Sequence, residues 1–323
     1  MSDVRKSLLT GEETKKQTVM GEVWDITKLS APMFVGMAAW VVMKLTDSSL
    51  LGHVGDGSKY LDASSYSDLW TQASGVIIGG RVLGVFASQA YGAGNKELVG
   101  VWLQISLLVI FALSLLVFAL WSVTGPVLAA FGVKHELVWP AWLYALILMA
   151  ALPARIITGQ VNQFFQSQRI MAPGVVGAII GMVFNVALGL VFVLGIPFDP
   201  NPKHGKDEKG FGFPACPTVT TLVEWVQLFV IFVVFIKWKG LHKECWNGWD
   251  TAMYTSKRIK DYVKMYVPAA LGIASDFWRV AAIGTVAGTL GPDELGVFNS
   301  SYRILWLCLT LVGSIASATG VLL

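Results

Sequence analysis

The chain is poor in charge. Lys, Arg, Asp and Glu make up 14% of its 323 residues, against 54% hydrophobic, whereas soluble domains carry about 25% charged residues. So little charge cannot cover so apolar a core, which excludes an ordinary soluble globule and leaves lipid as the solvent. Cysteine is scarce too. Cys216, Cys245 and Cys308 have neither metal-site spacing nor a disulfide framework and read as small hydrophobes. The four histidines, His53, His135, His204 and His242, stand apart and form no zinc motif. No G-x-x-x-x-G-K-[ST] loop occurs, which excludes an ATPase of that type. A net charge of +3, spread over short connections, argues against nucleic acid as a partner. Residues 1–28 lack the basic start, apolar stretch and cleavage site of a signal peptide and are expected to form a cytosolic tail of low helical order.

Long apolar runs are what the sequence has instead. A membrane helix needs about 20 mostly apolar residues. Eight candidates meet this: 29–52, 64–88, 100–127, 138–163, 173–196, 217–238, 262–289 and 295–323. The second starts with Ser64, Ser65, Ser67, Asp68 and Thr71, which predicts first turns facing a water-filled cavity instead of lipid. With the N-terminus inside, inner connections hold fourteen Lys and Arg and outer ones five, the asymmetry expected of cytosolic loops. Lys44, Arg81, Arg155, Arg279 and Arg303 fall within or near membrane segments, where a charge is costly unless paired, snorkelling or wet. Pro32, Pro153 and Pro268 lie inside spans and free backbone groups for a bend, as hinge or as packing kink.

The chain also repeats itself. A shift of 236 residues lays helix one on helix seven without a gap, matching Pro32 with Pro268, Gly36 with Gly272 and Gly52 with Gly288. At the same offset Ser64-Ser65-Tyr66 meets Ser300-Ser301-Tyr302, and Leu69-Trp70 meets Leu305-Trp306. Six-helix spacing gives both copies one orientation, a parallel repeat about an axis along the membrane normal. The expected organisation is a cytosolic tail at 1–28, a lobe of six transmembrane helices at 29–238, a cytosolic linker at 239–261, and the first two helices of an incomplete second lobe at 262–323. An all-α polytopic membrane bundle follows, with the missing helices or a partner chain expected to complete it.

Four motifs are specific. Asp47-Ser-Ser-Leu-Leu-Gly-His-Val-Gly55 fits D-x-x-x-x-G-H-[LV]-G. Ser88-Gln-Ala-Tyr-Gly-Ala-Gly-Asn95, followed by Gly100 and Gln104, fits G-Q-A-[YF]-G-A with a later G-x-x-L-Q. Phe164-Phe-Gln-Ser-Gln-Arg-Ile-Met-Ala-Pro173 and Asp276-Phe277-Trp278 complete the set. In this order they resemble the multidrug and toxic compound extrusion (MATE) family. The resemblance implies a two-lobe fold with a complete N-lobe and a partial C-lobe. It implies a non-enzymatic antiporter that exports organic, often cationic, compounds in exchange for H⁺ or Na⁺, with no other cofactor and with a small organic substrate and the lipid bilayer as partners.

The resemblance also assigns residues. Asp47, at a family cation-site position, is a candidate proton or cation site, since a coupling carboxylate must load and release near neutral pH; its plainer role is as partner to Lys44, one turn away. Asn185 matches the Asn of N-x-x-x-D, whose Asp is Gly189 here, or else makes an interhelical hydrogen bond. Asp276 replaces a family Glu, with an ion pair to Arg279 as the plainer role, and a second family Glu is Ala281 here. Trp40, Phe164 and Phe277 are candidates for a cation–π surface, and Gln166 for the substrate cavity or a helix cap. Two alternatives remain open: a lipid-linked flippase of the same superfamily, and a truncated membrane regulator that does not transport. The membrane of residence is the plasma membrane or an organellar one.

Overall fold

A computed structural model describes residues 19–55, 57–197, 210–290 and 292–322. Among these residues there is no strand. Helix α1 is Val19–Leu51. Helices α2 (Gly57–Gly75) and α3 (Val82–Gly92) are two halves of a span broken by a 3₁₀ turn at Val76–Ile78. Helix α4 is Lys96–Ser122, and α5 is the short Thr124–Ala130. Helices α6 (His135–Met149) and α7 (Leu152–Ser167) form a second broken span, bent by 49° with Pro153 in the first turn after the bend. Helix α8 (Ala172–Leu188) runs on through a π turn at Gly189–Val193, and α9 (Ala215–Val230) through another at Ile231–Trp238. Helices α10 (Ser256–Leu290) and α11 (Pro292–Leu322) follow the linker.

Six of these helical runs are long and apolar enough to cross a membrane, and the bent α6–α7 pair makes a seventh. Helix α11 carries a shorter apolar stretch, Ile304–Gly320. The protein is therefore a multi-pass helical membrane protein. Each expected span has its helix, with two differences of substance. Residues 19–28, expected as low-order tail, continue α1, because a nucleated helix propagates through Val23, Trp24 and Ile26 at little further cost; residues 1–18 lie outside the described part, as do residues 198–209 of the expected outer loop. The second span starts seven residues early and breaks at 76–81, where a 3₁₀ turn replaces the α-helix and Gly80 leaves room for a side chain of α10.

The break is stitched by a residue of the other repeat. Tyr266 of α10 donates its hydroxyl to the Ile77 carbonyl (2.9 Å) and accepts from the Gly80 amide (3.3 Å). Gly80 is required, since a Cβ there would lie 2.6 Å from the Tyr266 ring. Tyr262, one turn earlier, stacks on Phe86 at 5.7 Å, and Phe86 on Trp102 at 4.3 Å. Both tyrosines are fully buried with Leu83, Ile105, Phe164 and Phe165 in one core cluster. The division at residue 262 is thus a boundary in sequence and not in space: the start of α10 belongs to the core of the first lobe.

The linker is strapped to that same end. Gln104 of α4 donates Nε2 to the Gly248 carbonyl (2.7 Å), and its Oε1 accepts from the Asp250 amide (3.1 Å) and the Tyr254 hydroxyl (2.8 Å). Lys96 pairs with Glu244 nearby. Gly100, one turn before Gln104, lets the Cys245 carbonyl approach α4 where any Cβ would collide. Gly100→Ala should therefore cost about 1–3 kcal/mol of stability through overpacking. It should also speed tryptic cleavage at Lys243, read by gel and by thermal unfolding; unchanged cleavage and midpoint would contradict the strap.

Candidate functional site

Asp47 sits near the end of α1, 3% exposed, amid α1, α8 and α9. Its Oδ1 accepts from Asn185 Nδ2 at 3.1 Å and its Oδ2 from Thr220 Oγ1 at 3.0 Å. Asn185 is fully buried, and its Oδ1 has no hydrogen-bond partner among the described residues. A buried acceptor left open costs roughly 1–3 kcal/mol, so it marks a place where a hydrogen-bond donor or a cation would be welcome. Two carboxylate oxygens, an amide oxygen and a hydroxyl make a hard, all-oxygen set suited to a proton or an alkali cation. The expected plain role of Asp47 fails: Lys44 pairs instead with Asp68 of α2, at 3.3 Å.

Gly189, where the family pattern has Asp, faces Leu50. A Cβ at this position would run into Leu50 Cδ1. The missing carboxylate is therefore replaced by an aliphatic contact between α1 and the π turn, not by an empty space.

A separate cavity of about 660 Å³ lies against this lobe. Its wall includes Pro32, Trp40 and Lys44 of α1, Asp68 and Thr71 of α2, and Gln166 of α7, with Phe277 and Trp306 from the second repeat. The polar start of the second span thus faces the cavity through Asp68 and Thr71. Asp47, Asn185 and Thr220 are not on this wall. Phe164 is not either; it is buried in the core against Phe165, ring centroids 5.3 Å apart. Asp276 lies on the exposed face of α10, its side chain 75% exposed and paired with Arg279 at 3.3 Å. The structure thus joins Asp47 with Asn185, gathers Trp40, Phe277 and Gln166 on one cavity wall, and keeps Asp276 and Phe164 apart from both groups.

Two contributors escaped the sequence reading. Thr220 carries no signal of its own, because a hydroxyl in an apolar helix usually bonds to its own backbone. Glu224 carried one: a lone carboxylate in the apolar run 217–238 needs a partner. That partner is Arg155 of α7, whose Nη2 and Nε both lie 3.1 Å from Glu224 Oε1 on the cavity wall.

Comparison with known proteins bears on the family and the fold. The MatE family model matches residues 32–191. Multidrug and toxin extrusion protein 1 of Xenopus tropicalis is 26% identical over 292 residues, covering 88% of this chain and 47% of that protein. Its Danio rerio counterpart is 25% identical over 286 residues, covering 88% and 45%. The chain thus spans about half the length of the curated relatives it matches. Among solved structures, the eukaryotic MATE transporter AtDTX14 superposes with a TM-score of 0.78 at 17% identity, over 93% of this chain and 64% of that one.

The Gly189–Leu50 contact gives a prediction. Gly189→Asp should destabilise the protein by about 1–3 kcal/mol through overpacking, and Leu50→Ala should recover part of that loss in the double variant, measured as a non-additive shift of thermal midpoint. Strict additivity would mean that Leu50 does not exclude the side chain.

Proposed function

The chain belongs to the MATE family, and on that premise we propose that it works as a secondary active antiporter, exporting small organic compounds in exchange for H⁺ or Na⁺ by alternating access. The observation that carries this reading is the Asp47–Asn185–Thr220 cluster: a carboxylate buried within a membrane-spanning helix, held by two donors, beside an amide oxygen that has no donor among the described residues. A charge kept there at such cost is a site by default. Proton or cation binding at Asp47 would change what α1 must hold on its inner face. The same helix presents Trp40 and Lys44 to the cavity two turns and one turn away. An ion that binds one lobe arrangement better than the other thereby shifts the population facing each side. The seven-residue basic cluster from Lys237 to Lys264 supports the N-terminus and linker being cytosolic.

Asp276 is a second candidate coupling acid by position in the repeat, and its exposed pair with Arg279 is weak as a structural interaction. A mostly apolar cavity wall, with Lys44 and Arg155 each paired to a carboxylate, fits a small organic substrate better than the wide, strongly basic chamber a lipid-linked flippase would need.

In proteoliposomes with an imposed pH or Na⁺ gradient, efflux of a fluorescent organic dye should follow one of the two gradients. Asp47→Asn should lower the coupled rate at least about tenfold, the scale of losing one charged interaction of about 1.4 kcal/mol. Asp276→Asn added to it should lower the rate further. Rates indifferent to both gradients, or undiminished in the double variant, would defeat antiport.

A further inference from the structure

The cavity wall carries more positive than negative groups. Among the described residues it presents Lys44, Arg81 and Arg155 against Asp68 and Glu224. Lys44 is neutralised by Asp68 at 3.3 Å and Arg155 by Glu224 at 3.1 Å. Arg81 has no carboxylate: its one hydrogen-bond partner among the described residues is the Ser317 hydroxyl, 3.0 Å from Nη1. The Arg81 side chain is accessible on the cavity wall, where a ligand can reach its guanidinium.

Its position is built. The break between α2 and α3 puts Arg81 just ahead of α3, outside any regular helix, and Tyr266 fixes the turn before it. Residue 317 is residue 81 displaced by 236, so the guanidinium contacts its own repeat equivalent, as happens where the axis relating the two copies passes. The break belongs to one copy alone, since α11 stays helical through the matching stretch 312–317. Three further side chains on the same wall have polar atoms without a hydrogen-bond partner among the described residues: Thr158 Oγ1, Gln160 Oε1 and Asn162 Oδ1. The Thr158 hydroxyl is a free donor. Farther along α11, Trp306 lies eleven residues from Ser317, about 16 Å at 1.5 Å per residue, and shares the wall with Trp40 and Phe277.

We propose that the cavity takes an elongated aromatic anion, its carboxylate or sulfonate on the Arg81 guanidinium and its ring system against Trp40, Phe277 and Trp306. The proposal rests on the cavity being the substrate site, and it reverses the charge that the family resemblance implies for the substrate. A guanidinium presents a planar fork of donors that matches a carboxylate bidentately. An organic cation would meet an uncompensated positive charge in the same place, which acts against it.

Two fluorescent probes of like shape and opposite charge test this: 1-pyrenebutyrate and 1-pyrenebutylammonium. Each is titrated into the protein in phosphatidylcholine nanodiscs, with empty nanodiscs subtracted. Pyrenebutyrate should bind at least about tenfold more tightly, the scale of one charge-assisted pair. Arg81→Gln should abolish the preference, and Arg81→Lys should keep part of it. Equal or tighter binding of the ammonium probe, no binding of either, or an unchanged preference in Arg81→Gln would overturn the proposal. Should Arg81→Gln fail to fold, the two probes on the wild-type protein and on Arg81→Lys still decide. Pyrenebutyrate bound but never moved by an ion gradient would defeat antiport alone; gradient-driven export of cations without pyrenebutyrate binding would defeat this assignment alone.

Discussion

The hydroxyl of Tyr266 carries a constraint on which much else depends. A helix broken inside a bilayer leaves amides and carbonyls that lipid cannot satisfy, at several kcal/mol each if nothing replaces them. One side chain meets both edges of the break, giving its proton to Ile77 and accepting that of Gly80. With that stitch in place the second span can turn at Gly79–Gly80, set Arg81 toward the cavity and resume as α3. The same contact ties the first helix of the second repeat into the core of the first, so the two copies share one packed region at the linker end.

Charge is handled by strict local neutralisation with one exception. Each cavity carboxylate has its cation on a neighbouring helix: Asp68 on α2 with Lys44 on α1, Glu224 on α9 with Arg155 on α7. Breaking either pair would strand a charge in a medium that penalises it. Asp47 is managed differently: its two oxygens accept from the neutral donors Asn185 and Thr220, and no ion pair closes on it among the described residues. Lys44 is only one turn from Asp47 and yet pairs elsewhere. Helix α1 thus separates the buried Asp47 cluster from a cavity-lining face within a single turn.

The membrane class and the helical spans were legible because they rest on composition and on long, contiguous apolar runs. The Asp47–Asn185 pairing was legible too, through motif position. What was hidden is what depends on neighbours distant in sequence. The break at Val76–Arg81 reads as an ordinary apolar run with two glycines until Tyr266 is found opposite it. Gln104 reads as a motif residue, and only the folded linker shows three hydrogen bonds converging on its amide. Gly189 reads as a lost ligand, whereas in space it is the seat of Leu50. Phe164 reads as a candidate cation–π aromatic, but a helix has more than one face and this residue is on the core side.

The shared core has a consequence for biosynthesis. Ribosomes deliver the chain from the N-terminus, and domains usually fold in that order. Here the first six spans can be inserted, but Leu83, Phe86 and Trp102 lack their tyrosine neighbours until α10 emerges, about 160 residues after Trp102. Until then the interrupted second span is unsealed, and Gln104 waits for a strap not yet translated. Completion of the earlier half is therefore licensed by the later one, and a translational pause between α9 and α10 would hold the nascent protein at its most vulnerable to quality control.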